Sequence, residues 1–352
     1  MSRSLVPAAL LFFELFLVVP FVRAQAGWGL AADGQGQFFF CDIQRDRVWK
    51  LDQQGKLHLL FTQNHCHTLL LSYDGNIYGE DIGGESRGGP GVSLWKLTPQ
   101  GQRSYILPPT TNPDKSIWIV RDREGNTYAW NGNQHAKRES QILKRTPAGT
   151  ISVLAGSDWG YADGRGSEAK FGNVGGMAIG LDNTLYVAEE GNLRKVQLDG
   201  TVTTLARGLL SKATGGLPDL SGLWNHSMGM AVDAQNNVYV VDYRNRRVIK
   251  RTPEGVVTTI AQSKGIANAL TRSQWGWFPT GVTIAGDEVY IMEDWPLPTF
   301  AADLIGSPRI RKVLPDGGIT TVASVASPGT RALTLALAVG LAWVIVRWRR
   351  RR

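Results

Sequence analysis

Two short signatures recur six times along the chain, and this repetition constrains the fold more than any other feature of the sequence. The first is a tight-turn residue with an aromatic residue three positions later: Gly36/Phe39, Gly75/Tyr78, Gly125/Tyr128, Asn183/Tyr186, Asn236/Tyr239 and Asp287/Tyr290. The second is a lysine with a glycine five positions later: Lys50/Gly55, Lys96/Gly101, Lys144/Gly149, Lys195/Gly200, Lys250/Gly255 and Lys312/Gly317. The turn residues lie 39, 50, 58, 53 and 51 residues apart. Periods of this length are typical of repeat architectures.

Each repeat predicts two β-hairpins. An apolar stretch such as residues 230–232 precedes the first turn, and a β-branched, aromatic run such as 237–241 follows it. The lysine–glycine signature marks a second hairpin, whose last strand is evident at 256–260. Four strands in each of six units predict an all-β, six-bladed β-propeller over residues 27–326. Each unit holds all four of its own strands, so we expect no strand exchange between units.

The N-terminal residues 1–26 have the pattern of a secretory signal peptide. Arg3 precedes an apolar run over 5–22, and small residues follow at Ala24 and Ala26. Cleavage after either alanine fits the pattern. An uncleaved signal anchor is the alternative, because one acidic residue interrupts the apolar run.

The C-terminal residues 327–352 predict a membrane anchor. An apolar run over 332–346 is followed by an arginine cluster, and flanking tryptophan and arginine side chains extend its reach to the membrane interface. With an exported N-terminus, the arginines fall on the cytoplasmic side, as the positive-inside rule requires. We therefore expect an exported protein with a single transmembrane helix and an extracytoplasmic propeller. The segment also resembles bacterial C-terminal sorting signals, so it could be cleaved.

The net charge of +8 belongs to the two ends of the chain. Without the first 24 and the last 25 residues, 30 basic residues stand against 29 acidic ones. A nearly neutral body has no electrostatic footprint for a polyphosphate, which excludes nucleic acid as a partner.

A polar residue ends the second strand of every repeat. The six are Asp42, Asp81, Asn131, Glu189, Asp242 and Glu293, and further acids adjoin three of them at Glu80, Glu190 and Asp294. In a propeller these strand ends meet on one face beside the central channel. They predict an oxygen-rich site for a hard cation such as Ca²⁺, or a charged mouth that selects ligands. The alternative is that each acid satisfies the backbone of its own turn.

Two histidines open the second repeat. His65 and His67 lie two residues apart on one strand face, near Glu80 and Asp81. Two histidines and a carboxylate could bind Zn²⁺ or a similar metal, or provide a general base. The alternative is a pair of hydrogen-bonded structural histidines at a strand entry.

The two cysteines lie at facing ends of the first two repeats. Cys41 and Cys66 could pair in an exported protein, but two cysteines alone do not fix this.

Aromatic residues are frequent in the long connections. They are Trp159, Tyr161, Trp224, Trp275, Trp277, Phe278 and Trp295, accompanied by His226 and by the glycine-rich loop 83–91. Aromatics around a polar cleft suit a sugar, another flat polar ligand or a peptide. The alternative is that these side chains pack over the blades.

Several segments resemble NHL repeats, namely 171–179, 183–188, 228–233, 237–242 and 245–250. The resemblance covers residues 27 to about 324. It implies a six-bladed propeller of the NHL and SMP-30/gluconolactonase type. This family includes lactonases, a peptidyl-glycine lyase, strictosidine synthase-like proteins and binding modules, so the resemblance does not select one function.

The family's metal ligands can be sought in this sequence. SMP-30-type enzymes take them mainly from the residue before the first strand of each blade, and here those positions are Trp28, His67, Ile117, Gly175, Met228 and Thr280. Only His67 could ligate a metal, so the family's ligand set is not reproduced.

We therefore expect a binding propeller for an extracytoplasmic small molecule or protein. The predicted ligand-binding residues are Trp28, His65, His67, Glu80, Asp81, Asn131, Glu189, Asp242, Glu293, Asp294 and Trp295. The alternative is a metal-dependent hydrolase of the sugar-lactone type, with one Ca²⁺ or Zn²⁺ held by His67, Glu80 and Asp81.

Overall fold

The computed structural model describes residues 29–81, 92–110, 119–132, 137–210, 229–243, 245–263, 279–293 and 308–325. The predicted signal peptide and C-terminal anchor lie outside these residues, as do Trp28, Asp294 and Trp295. Within the described part of the chain, no helix is long and apolar enough to cross a membrane.

The architecture is an all-β propeller of six blades, each a four-stranded antiparallel sheet built from consecutive strands. In the order from the channel outward, blade 1 consists of β1 (Leu30–Ala32), β2 (Phe38–Asp42), β3 (Arg47–Leu51) and β4 (Leu57–Thr62), and blade 2 of β5 (Leu69–Leu71), β6 (Ile77–Asp81), β7 (Val92–Leu97) and β8 (Arg103–Thr110). Blade 3 consists of β9 (Ile119–Arg121), β10 (Thr127–Gly132), β11 (Glu139–Arg145) and β12 (Ile151–Asp158), and blade 4 of β14 (Val174–Ile179), β15 (Leu185–Glu189), β16 (Asn192–Val196) and β17 (Thr201–Ala206). Blade 5 consists of β18 (Met230–Val232), β19 (Val238–Asp242), β20 (Arg247–Arg251) and β21 (Val257–Gln262), and blade 6 of β22 (Pro279–Ala285), β23 (Glu288–Glu293), β24 (Arg309–Val313) and β25 (Ile319–Ser324). A two-residue strand, β13 (Gly164–Arg165), adds to the outer edge of blade 4 by pairing with β17.

The two sequence signatures form one structural unit. In every blade the repeated aromatic residue of the second strand lies directly opposite the repeated lysine of the third strand, as Phe39 does opposite Lys50 and Tyr239 opposite Lys250. The Lys250 ammonium lies 5.5 Å from the centroid of the Tyr239 ring, within the range of a cation–π contact. Cross-strand pairs of this kind stabilise the sheet and set its register.

A carboxylate in the first hairpin turn holds the tyrosine hydroxyl in several blades. In blade 3, Asp122 accepts hydrogen bonds from the Asn126 backbone N–H at 2.7 Å and from the Tyr128 hydroxyl at 2.8 Å. Asp233 accepts the hydroxyl of Tyr239 in blade 5 at 3.0 Å. The turn and the strand that follows it are thereby tied together, which gives a physical reason for their fixed spacing.

The ring closes by packing alone. The innermost strands contact one another in sequence around the channel, and β22 of blade 6 contacts β1 of blade 1. A buried apolar cluster joins these two blades, with Phe38, Phe40 and Leu51 packed against Met292 and Ile310. All four strands of each blade come from its own repeat, so the expectation of no strand exchange is confirmed.

Five of the six blade interfaces contain such a cluster. They are the interfaces between blades 1 and 2, 3 and 4, 4 and 5, 5 and 6, and 6 and 1. Among the described residues, the interface between blades 2 and 3 contains none. There the Arg121 guanidinium lies over the Tyr78 ring at 4.1 Å and 3.9 Å from Asp74, so these described contacts across the interface are polar.

A disulfide joins blade 1 to blade 2. Cys41, near the end of β2, is bonded to Cys66, which precedes β5, and their Cα atoms are 5.7 Å apart. Both cysteines are fully buried in the cluster between the two blades. The pairing that the sequence left open is therefore made.

We predict that replacing both cysteines by serine lowers the free energy of unfolding by about 3 kcal/mol, because the crosslink closes a loop of 25 residues in the unfolded chain. Chemical denaturation followed by tryptophan fluorescence measures the change. Wild type in reducing buffer is the control and should show a similar loss. Equal midpoints for wild type and variant would contradict the prediction.

Candidate functional site

The central channel has an aliphatic wall. The innermost strands enclose a cavity of about 200 Å³, lined by side chains such as Leu69, Met177, Met230 and Val282. Of the described residues that line it, His67 is the one titratable side chain. Thr68 and Thr283 also line the cavity, and an apolar wall with a few polar groups is a common design of small-molecule sites.

The polar residues predicted to form a ring end their strands as expected. Asp42, Asp81, Glu189, Asp242 and Glu293 are each the last residue of a second strand. Asn131 is the last but one of β10 and is half-buried.

Two of these carboxylates are buried and bound to arginines of their own blade. Arg45 donates to both oxygens of Asp42, at 3.0 and 3.1 Å. Arg194 is fully buried and donates to Glu189 Oε2 at 2.9 Å, and the Gly172 backbone N–H donates to the other oxygen. Burial raises the pKa of Asp42 and of Glu189, and the arginines oppose this rise.

The same arrangement occurs in blades 5 and 6. Arg247 donates to Asp242 at 2.8 Å. Glu293 accepts from Arg309 and from Arg311, the latter at 2.7 Å. These four predicted site residues therefore have their charges compensated within their own blades. The sequence analysis did not identify the arginines, although each follows its acid by between 3 and 18 residues.

In blade 2 the second strand ends in Asp81, whose Oδ1 accepts the His65 backbone N–H at 3.1 Å. His65 Nδ1 lies 2.9 Å from Asp46 Oδ1, and the His65 and His67 ring centroids are 4.9 Å apart. Two histidines and two carboxylates are thus assembled at the entry to β5.

Glu80 is the most unusual residue of this blade. Its side chain is 1% exposed, and its Oε2 has no hydrogen-bond partner among the described atoms. Burial raises the pKa of Glu80 to about 8; hydrogen bonds from the side chain and backbone of Thr68 and from the His67 backbone oppose the rise, while the Asp81 charge adds to it. The carboxyl group therefore lies directly behind the His67–Thr68 segment that lines the channel.

The internal repeat shows how exceptional this carboxyl group is. The equivalent positions, two residues after the repeated aromatic, hold Cys41, Trp130, Ala188, Val241 and Met292 in the other blades. All five are buried and apolar. Glu80 thus places an acid where the architecture otherwise buries an apolar side chain.

Trp95 fixes the strand that carries Glu80. Its ring packs over Gly79, in space that a β-carbon at that position would occupy. Its Nε1 donates to the Glu80 carbonyl oxygen at 3.0 Å. Trp95 is fully buried in the cluster between blades 1 and 2.

His67 has a strongly shifted pKa as well. Burial lowers its pKa well below the ordinary value, and the neighbouring His65 adds to the effect. The imidazole is therefore neutral at physiological pH, so it can accept a hydrogen bond on one nitrogen and donate one from the other.

The described residues do not fit the metal site that the family resemblance implies. No group of three or more histidine, cysteine, aspartate or glutamate side chains among them could hold a metal ion. Glu80 and Asp81 are consecutive on one strand, so their side chains project to opposite faces of the sheet. Of the family's ligand positions, His67, Gly175 and Thr280 are described, and the Thr280 hydroxyl donates to the Met292 carbonyl oxygen at 3.3 Å.

Two of the connection aromatics pack on the blades. The Tyr161 hydroxyl hydrogen-bonds to Thr204 on strand β17, and the ring lies under the Arg194 guanidinium. Trp159 packs against Trp130 in the cluster between blades 3 and 4. For this pair the packing alternative is correct, and the other connection aromatics lie outside the described residues.

Comparison with known proteins shows which solved structures have a similar fold. No family model and no curated protein matches the chain. Among solved structures, a luciferin-regenerating enzyme has a TM-score of 0.56 and 13% identity, over 86% of this chain and 95% of that one. A gluconolactonase from Xanthomonas campestris has a TM-score of 0.51 and 15% identity, over 78% and 85%. Virginiamycin B lyase from Staphylococcus aureus has a TM-score of 0.49 and 14% identity, over 84% and 83%.

The chain shares its six-bladed propeller fold with the luciferin-regenerating enzyme and the gluconolactonase. The predicted resemblance to SMP-30/gluconolactonase-like propellers is therefore confirmed at the level of the fold. At these identities the fold is all that the likeness shows, and what each of these proteins acts on is a property of that protein.

We predict opposite effects of the same change at two buried glutamates. Glu189→Gln leaves the buried Arg194 without its full charge partner and should lower the free energy of unfolding by about 3 kcal/mol. Glu80→Gln keeps an acceptor for the backbone N–H groups and removes a buried ionisable group, so stability should be unchanged or higher. Urea denaturation at pH 7 measures both changes. A similar loss in the two variants would show that Glu80 has an unrecognised structural partner.

The stabilising effect of Glu80→Gln should grow with pH. The folded protein holds the Glu80 proton up to a pKa of about 8, whereas the unfolded chain releases it near 4.5. Between these values the unfolded state binds fewer protons, so Glu80 makes wild type less stable as pH rises through this window. The difference in free energy of unfolding between variant and wild type should therefore increase from pH 5 to pH 8. A constant difference would contradict the raised pKa.

Proposed function

We propose that this protein is a ligand-binding propeller whose site is the channel mouth at blade 2, where His67 provides a polar contact on an aliphatic wall and the buried Glu80 carboxyl group lies behind it. The observation that carries the proposal is the buried Glu80 carboxyl group, whose Oε2 has no partner among the described atoms. A buried polar atom without a hydrogen bond costs about 1–3 kcal/mol. Groups with such costs and with perturbed pKa values cluster at functional sites.

The electrostatics of the other blades support this location. Asp42, Glu189, Asp242 and Glu293 are compensated by arginines, so these strand ends are already satisfied. A ligand gains most where the protein has left a polar group unsatisfied. In blade 2 the unsatisfied atom is Glu80 Oε2, one residue before the strand end.

The ends of the sequence support an extracytoplasmic setting for this activity. A signal-peptide pattern at 1–26 and an apolar run with terminal arginines at 327–352 favour export and tethering to the membrane. The ligand is then a small molecule or a protein outside the cytoplasm. The nearly neutral body of the chain disfavours nucleic acid.

The metal-dependent hydrolase is the alternative outcome. Its support is His67, which occupies a ligand position of SMP-30-type enzymes, and a fold shared with a gluconolactonase. The described residues add no further ligand to His67. We therefore derive no catalytic step through a metal.

A fragment screen tests the proposed function. The full chain is screened by saturation-transfer NMR against a library of cationic, neutral and anionic fragments, in parallel with the His67→Ala variant. We expect fragments that bind wild type and are weakened at least fivefold in the variant. Hits of equal affinity in both proteins would place binding elsewhere.

Metal content, measured by mass spectrometry on the same samples, separates the two functions. One equivalent of metal in wild type that is lost in the His67→Ala and Glu80→Ala variants would favour the hydrolase. Fragment binding without retained metal supports the binding propeller.

A further inference from the structure

The described wall of the central channel carries no charge at physiological pH. The innermost strands supply it with aliphatic side chains such as Leu71, Ile179 and Val232. None of the acids that end the second strands is among the described residues that line the cavity. His67 is the one titratable side chain among those residues, and burial lowers its pKa so far that the imidazole is neutral. A ligand in the cavity therefore meets no opposite charge from this wall.

The buried acids around the channel mouth do not supply a charge either. Arginines of the same blades are bound to four of them, namely Asp42, Glu189, Asp242 and Glu293. Glu80 keeps its proton up to a pKa of about 8 and is 1% exposed. These five acids therefore provide no free charge that would attract an ion into the channel.

Such surroundings discriminate between ligands by charge. An ion that enters the cavity loses hydration without gaining a charged partner, and an uncompensated charge in apolar surroundings costs far more free energy than a neutral polar group does. An apolar molecule gains free energy from the same transfer, in proportion to the apolar area that it buries. The channel therefore favours neutral ligands over ions of either sign.

The volume of the cavity limits the size of the ligand. It measures about 200 Å³. An apolar cavity of roughly 150 Å³ stays dry and binds benzene, so this one has room for a six-membered ring with a small substituent. Water is a poorer occupant, because each molecule needs about two to four polar partners. The described polar side chains of the wall are His67, Thr68 and Thr283.

We propose that the channel takes an uncharged, largely apolar small molecule of about the size of one substituted six-membered ring. This inference rests on the proposed function, because it names the chemical class of the ligand bound at the channel mouth. The aliphatic side chains of the innermost strands contact the ring. The neutral imidazole of His67 pairs with a hydroxyl or carbonyl group of the ligand, since it can donate from one nitrogen and accept at the other.

Three probes that share one ring test the charge class. Benzyl alcohol, benzylammonium and benzoate are neutral, cationic and anionic at pH 7.5, and each is titrated against the full chain by saturation-transfer NMR. We expect wild type to bind benzyl alcohol at least about tenfold more tightly than either ion, because the wall offers neither ion a charged partner.

Three variants test whether the probe lies in the channel. Ala231→Leu in blade 5 and Ala32→Leu in blade 1 each place a larger side chain in the wall of the cavity. Each should weaken benzyl alcohol at least about tenfold, because a close-packed wall leaves no other room for the ring. Ala234→Leu makes the same change at an exposed turn residue of blade 5 and should leave the affinity unchanged. Near-ultraviolet circular dichroism confirms the fold of every variant.

The outcomes separate the inference from the proposed function. Benzylammonium or benzoate that binds wild type as tightly as benzyl alcohol, and is weakened in His67→Ala, would overturn the chemical class and leave binding at the channel mouth intact. Failure of benzyl alcohol, with charged hits in the fragment screen that His67→Ala weakens, would also overturn the class alone. Unchanged benzyl alcohol binding in folded Ala231→Leu and Ala32→Leu would place the neutral ligand outside the channel and overturn the inference. No channel-dependent hit of any class would overturn the proposed function, and the inference with it.

Discussion

Packing between neighbouring blades is the interaction on which the rest of this structure depends. A four-stranded sheet has two faces, and each blade buries them against the sheets on either side. Five interfaces are filled by apolar clusters, and one of these, between blades 6 and 1, closes the ring without an exchanged strand. The sixth, between blades 2 and 3, has no described apolar cluster and is bridged by Arg121 and Tyr78. The candidate site borders the one interface that is built differently.

The buried acids of this molecule are of two kinds, those bound by arginines and Glu80, which has no described arginine partner. Carboxylates at the ends of the second strands are tolerated because arginines on the third strands or in the turns neutralise them, as Arg194 does for Glu189. Glu80 has the burial of these acids without the arginine. The position that it occupies holds Val241 or Met292 in other blades, so the fold itself does not require a polar group there.

Sequence reasoning selected the blade on which the proposed site lies but could not give the contacts of its residues. The doubled acid at Glu80 and Asp81 and the nearby His65 and His67 drew attention to blade 2, and the structure brings these residues to one strand end. The expectation of a ring of free carboxylates could not anticipate the arginines, because a cross-strand ion pair depends on register. Trp159 and Tyr161 likewise pack on the blades, since the connection that carries them follows the outer edge of blade 4.

The sequence by itself determined the six repeats, the four strands of each and the position of the two hairpin turns in each repeat. These features depend on local spacing, which turn geometry and strand alternation convert directly into register. Only the tertiary structure decided which acids are compensated, that Cys41 bonds Cys66, and that Glu80 is buried with an unpartnered oxygen. Burial and charge compensation are properties of neighbouring blades in contact, and residues distant in sequence become neighbours only when the ring has closed.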